Sequence, residues 1–159
     1  MIEWILRNKI RAFLYVFGPL ILAWVFSIKY SIRINLSDSL PYKLFILDKG
    51  NQEVKKGKLI AFVAPGNGVY EGDFCKYVIG MPGDVVSYVG YDVYVGYKHI
   101  GKAKKVGKKG NKLERGPEGI IPEGHYFVYS KKEDSFDSRY RNIGYVKDSN
   151  IIGTVYPIF

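Results

Sequence analysis

The chain has 159 residues and a formal net charge of +9. Hydrophobic residues at 47% and aromatics at 16% exclude a disordered chain, and setting aside an apolar N-terminal segment leaves roughly 130 residues, enough for one domain with its own core. The single cysteine excludes an intrachain disulfide, and the two histidines, His99 and His125, stand apart from one another, so no metal cluster or cofactor motif is evident.

Ala12 to Ile28 is uncharged and almost wholly apolar. A helix over it, at ~1.5 Å per residue, is about 25 Å long, near the lower limit for crossing a bilayer. Arg11 and Lys29 can snorkel at its ends. Gly18-Pro19 would break a soluble helix but is tolerated in a membrane one. The run ends in Ser27-Ile28-Lys29-Tyr30, which lacks the small-residue pair of a signal-peptide cleavage site, so the sequence predicts an uncleaved anchor. Arg7, Lys9 and Arg11 precede the span; only Lys29 and Arg33 follow closely. The positive-inside rule then places the N-terminus in the cytoplasm. Residues 1–30 are read as a cytoplasmic stub with a single-pass inner-membrane anchor, and 31–159 as one extracytoplasmic domain.

Beyond the anchor the pattern is strands and turns, with 14 Tyr and 18 Gly and no long helical period. Strands are predicted at Leu44–Leu47, Lys58–Val63, Tyr77–Ile79, Val85–Val95, Tyr126–Tyr129 and Ile151–Tyr156. Gly90-Tyr91 folds the long one into a hairpin, and Gly57, Pro65-Gly66, Gly72, Pro82-Gly83 and Pro122-Glu123-Gly124 supply further turns. The fold class is mainly β and antiparallel. Lys98, Lys102, Lys104, Lys105, Lys108, Lys109, Lys112 and Arg115, interrupted by glycines, predict an exposed basic hairpin or loop. Such a stretch is either a solvated face or a contact for lipid phosphates. No nucleic-acid motif accompanies it, and no nucleic-acid partner is expected.

Three segments carry candidate chemistry. Ser39 lies in the turn Ser37-Asp38-Ser39-Leu40-Pro41, and a serine hydroxyl needs a base to become a nucleophile. Lys76 leads the apolar run Tyr77-Val78-Ile79-Gly80-Met81, where burial would lower its pKa and free its amine as general base. Cys75, its neighbour on the opposite strand face, reads as a small buried hydrophobe. Ser135, Asp137 and Arg139 alternate, which predicts an extended segment with all three on one face. Read alone, Ser39 is also an ordinary turn serine, Lys76 one of many lysines, and Ser37 a turn partner of Asp38.

From about Asn35 to the C-terminus these segments, in this order and spacing, resemble the signal peptidase I family of Ser-Lys membrane proteases, most of all its short, TraF-type conjugative-transfer branch. The resemblance implies a coiled, barrel-like antiparallel β-domain behind one transmembrane helix. It implies Ser39 as nucleophile, Lys76 as base and Ser37 as a hydroxyl donor to the oxyanion. It gives Ser135 a hydrogen bond to the lysine amine and makes Asp137 and Arg139 a supporting ion pair, with Gly83 and Asp84 as turn and packing residues. It implies no cofactor and no metal. The partners it implies are a membrane lipid surface and an exported precursor cleaved after small residues, a pilin or secretion-system subunit before general secretory traffic. A housekeeping signal peptidase and a non-enzymatic, basic, membrane-tethered binding domain are the alternatives. A self-cleaving, repressor-type protease would carry a DNA-binding module where this chain has its apolar span. The chain departs from the family at Lys43-Leu44-Phe45, at Arg141-Asn142-Ile143, and at Ser130-Lys131-Lys132, where housekeeping enzymes have Gly-Asp-Asn.

Overall fold

The computed structural model describes residues 2–64, 72–108 and 110–158, with side chains from Asn8 onward. Pro65-Gly66 and Lys109, and the side chain of Arg7, lie outside the described residues.

Helix α1 (Ile2–Lys29) is longer than the uncharged run, because Lys9 and Arg11 end the apolar window without breaking the helix. Its Asn8–Lys29 portion, mean hydropathy 1.8, is long and apolar enough to cross a membrane and is not buried against the rest of the chain. Strand β1 (Tyr30–Ile34) begins at the next residue. Backbone hydrogen bonding continues across the junction: the Lys49 amide donates to the Lys29 carbonyl at 2.9 Å.

The remaining elements are strands β2 (Leu44–Asp48), β3 (Leu59–Val63), β4 (Asp73–Gly80), β5 (Val85–Val89), β6 (Asp92–Val95), β7 (Lys98–Lys102), β8 (Gly119–Ile120), β9 (His125–Tyr129), β10 (Val146–Lys147) and β11 (Ile151–Pro157), with a 3-10 turn at Asp148–Asn150. They form a seven-stranded sheet in the order β1-β2-β11-β3-β4-β9-β10 and a four-stranded sheet in the order β7-β6-β5-β8. All pairings are antiparallel. The chain is thus mainly antiparallel β with, among the described residues, one N-terminal apolar helix.

Ile60, Phe62, Val78, Val128 and Val146 pack on one face of the large sheet. Leu40, Phe45, Leu47, Leu59 and Ala61 form a second cluster towards β2, and Val86, Val93, Ile121 and Phe127 join the two sheets. The β4–β5 connection is a tight turn. Gly83 adopts φ +87°, where a side chain would be strained, and the Asp84 carboxylate accepts the Met81 amide at 3.0 Å and Lys56 at 2.7 Å. Asp84 is thus a turn-closing residue.

Two sequence expectations are corrected. The strand expected at Tyr77–Ile79 begins at Asp73, so Lys76 lies within β4 as its fourth residue rather than ahead of it. Ser135–Arg139 is not extended: residues 137–139 form a turn closed by the Tyr140 amide on the Asp137 carbonyl at 3.0 Å. The basic stretch runs from edge strand β7 into a loop closed by a Val106–Lys112 bridge; its described lysines are exposed except for half-buried Lys104, and part of it lines a cleft.

Candidate active site

Residues 35–43 form a loop between β1 and β2, fastened chiefly by Asn35. Its backbone amide donates to the Lys43 carbonyl at 2.9 Å, and its side-chain amide donates to the carbonyls of Leu40 and Tyr42 at 3.3 and 2.9 Å. Its Oδ1 accepts both the amide and the hydroxyl of Ser37, at 3.0 and 2.9 Å. With Ser37 donating to Asn35, the 2.8 Å bond between the Ser37 and Ser39 hydroxyls runs from Ser39 to Ser37. Leu40 anchors the loop in the core. Asn35 lies just ahead of the turn motif; its repeated use as acceptor and donor is what shapes the turn that presents Ser39.

Lys76 is 3% exposed. It sits opposite Ile60 on β3, and Cys75 beside it faces the cluster around Leu47 and Val155. Burial pushes the Lys76 ammonium down to about 8, reinforced by the Arg139 guanidinium and opposed by Asp137 and Cys75. The same burial pushes the Cys75 thiol up to about 11, so Cys75 is a protonated thiol and not a thiolate.

Ser135 is buried. Its amide donates to the Lys132 carbonyl at 3.0 Å, while its hydroxyl has no hydrogen-bond partner among the described residues. Asp137 and Arg139 are 0% and 1% exposed and form a tight ion pair: Arg139 Nε to Asp137 Oδ1 at 2.8 Å and Nη2 to Oδ2 at 3.0 Å. Arg139 also donates to the carbonyls of Lys102, Lys132 and Ser135, each at 3.1 Å, and lies over the Tyr129 ring. Burial pushes the Asp137 carboxyl up, while Arg139 and two backbone amides pull it down. Each of the three guanidinium nitrogens has an acceptor, which favours tolerance of a buried ion pair.

One cleft of about 670 Å³ brings Ser37, Ser39, Lys76 and Ser135 together. Phe45, Ala61, Phe74 and Cys75 give it an apolar side. Its lining also carries charge: Lys104 and Lys108, both paired with Asp134, at 2.5 and 3.6 Å. Asp137 and Arg139 lie behind the cleft and do not line it.

Against known proteins, the family model described as signal peptidase, peptidase S26, matches residues 1–159. The chain belongs to the S26 signal peptidase family.

Among relatives in this family, the conjugal transfer protein TraF of Agrobacterium fabrum is 25% identical over 145 residues, covering 80% of this chain and 81% of that one. TraF of Agrobacterium tumefaciens (strain 15955) is 25% identical over 146 residues, with the same coverage. A signal peptidase I from Enterococcus faecalis is 27% identical and aligns with a TM-score of 0.45, covering 65% of this chain and 97% of that one. This S26 chain is therefore a serine peptidase of TraF-like character, and its apolar helix fits a membrane-anchored protein. Ser130, absent from the sequence-derived candidates, is buried directly behind Ser39, and its hydroxyl donates to the Ser39 carbonyl.

Proposed function

We propose that this S26 peptidase is a membrane-anchored endopeptidase in which Ser39 attacks and Lys76 moves the proton. The observation that carries the reading is a buried, pKa-lowered lysine in the same cleft as the two bonded serines. Ser39 Oγ bonds to the substrate carbonyl carbon as its proton passes to the neutral Lys76 amine. Lys76 returns that proton to the leaving amine as the peptide bond breaks. Water then hydrolyses the ester, again with Lys76 as base. The Ser39 amide and the Ser37 hydroxyl face the developing oxyanion. The unpartnered Ser135 hydroxyl is suited to hold the Lys76 amine, and the Asp137–Arg139 pair braces the segment behind it.

Residues 1–30 act as anchor and 31–159 as the peptidase domain, facing the extracytoplasmic side. The substrate is an exported precursor cleaved after small residues, which the apolar flank of Phe45, Ala61 and Phe74 suits. Likeness to TraF favours a pilin or conjugation-system precursor over general secretory traffic. The test is to incubate the full chain in detergent with candidate pilin and secretory precursors and to read the new termini by mass spectrometry. Cleavage after small residues that disappears in Ser39→Ala supports the reading. Cleavage that persists in Ser39→Ala overturns it, and accumulation of many unrelated precursors on depletion in cells overturns the dedicated substrate.

A further inference from the structure

Ser130 follows β9 and is 1% exposed. Its two polar groups face different ways. Its hydroxyl donates to the Ser39 carbonyl, 91 positions earlier in the chain, and accepts the Lys132 amide at 3.4 Å. Its backbone amide donates to Asp137 Oδ2 at 3.1 Å. Among the described residues, the other hydrogen bonds of the segment from Asn35 to Leu40 stay within the β1–β2 loop.

We infer that Ser130 is a positioning residue that ties the nucleophile's turn to the Asp137–Arg139 ion pair. The inference rests on Ser39 being the nucleophile. The two ends of the link differ in stiffness. Asp137 is held by Arg139 and by two backbone amides, from Ser130 and from Arg139 itself, and Arg139 by three carbonyls besides. The Ser39 turn is a loop, and its inner bonds fix its shape but not its place against β4 and β9. Fixing the Ser39 carbonyl fixes the peptide plane that leaves the nucleophile's Cα, and with it the direction in which Oγ leaves the backbone. A nucleophile misplaced by about 1 Å can lose ~10²-fold in rate, so such a tether acts on turnover. A hydroxyl suits the position: it reaches one carbonyl, adds no charge beside Lys76, and can still accept the Lys132 amide.

Deleting the hydroxyl leaves the amide bond to Asp137 untouched, which separates the two roles of the residue. The experiment measures kcat and KM on one precursor peptide with full-length Ser130→Ala, Ser130→Thr and Ser39→Ala in detergent, with pH profiles. Ser130→Ala should lose ~10-fold or more in kcat, with KM changed by less than about twofold and the acid-limb midpoint unmoved, since the base is untouched. Ser130→Thr, which keeps the donor, should recover most of the loss. A Ser130→Ala protein with kcat within about twofold of the parent overturns the inference, as does a loss that Thr fails to restore or one that moves the pH midpoint. Failure of the underlying reading is distinguishable: it is the case in which Ser39→Ala still cleaves.

Discussion

The hydroxyls of Ser37 and Ser39 are 2.8 Å apart and share one hydrogen bond, with Ser37 passing its own proton on to Asn35. In the resting site Ser39 therefore points its proton at Ser37, and Ser37 stands within reach of any oxygen that develops charge beside Ser39. Ser37→Ala should lower kcat by roughly 10²-fold with little change in KM, as loss of an oxyanion donor does. Steady-state kinetics checks this, and near-full kcat would make Ser37 a turn residue only.

Ser39 and Lys76 should behave as one unit, because nucleophile and base serve the same step. Ser39→Ala, Lys76→Ala and the double variant should be about equally inactive. Substantial cleavage by Lys76→Ala near neutral pH would remove the lysine from the mechanism.

Activity should rise with pH on the acid side with a midpoint of about 8, as the Lys76 ammonium gives up its proton. The linked effect on stability has a definite sign. The folded chain binds the Lys76 proton more weakly than the unfolded one, so between about 8 and the usual 10.5 the unfolded chain holds more protons and stability increases with pH. Below about 8 the penalty for burying the ammonium is present in full. Lys76→Met should therefore be inactive yet more stable than the parent at pH 7, by up to roughly 3 kcal/mol. Thermal or denaturant unfolding of both proteins across pH 6 to 10 measures it. A pH-independent difference would show that the amine reaches water in the folded state.

The buried ion pair predicts a loss of stability from either end, for different reasons. Asp137→Ala leaves the Arg139 guanidinium uncompensated at 1% exposure and should cost about 3–5 kcal/mol. Arg139→Lys keeps the charge but loses the planar fork that reaches Asp137 and three carbonyls together, so it too should be destabilising. Chemical unfolding of the detergent-solubilised variants is the measurement, and parent-like stability in Arg139→Lys would show that the carbonyl contacts contribute little.

The burial of Lys76 was legible because the residues that follow it are apolar, and an apolar run on a strand demands a covered face. The hairpin at Gly90-Tyr91 was legible from alternation on either side of it. Strand β1 was not, because Tyr30–Ile34 is short and follows the helix directly, with no glycine or proline to mark the boundary. Strand β7 was hidden for a different reason: Lys98–Lys102 is an edge strand with little buried surface, so its composition reads as loop. The i, i+2, i+4 spacing of Ser135, Asp137 and Arg139 imitated a strand, yet the Asp137 carboxylate accepts the Arg139 amide at 3.2 Å and bends the segment into a turn. Local side-chain bonding of this kind competes with extended structure and leaves no periodic trace. Ser130 was invisible for a simpler reason: nothing about a serine after a strand states which distant carbonyl it will meet.

Helix α1 ends at Lys29 and β1 starts at Tyr30, with Lys49 stitched to the helix end through its amide and, at 3.1 Å, through its ammonium to the Ser27 carbonyl. A protein joined in this way has no flexible tether on which its cleft could roam. If α1 spans the bilayer, the height of Ser39 above the lipid is set by construction, and the chain works as a gauge. A precursor would be cut where its chain passes that fixed level, so the number of residues between a substrate's own membrane segment and its scissile bond becomes a recognition element alongside the side chains that flank the cut.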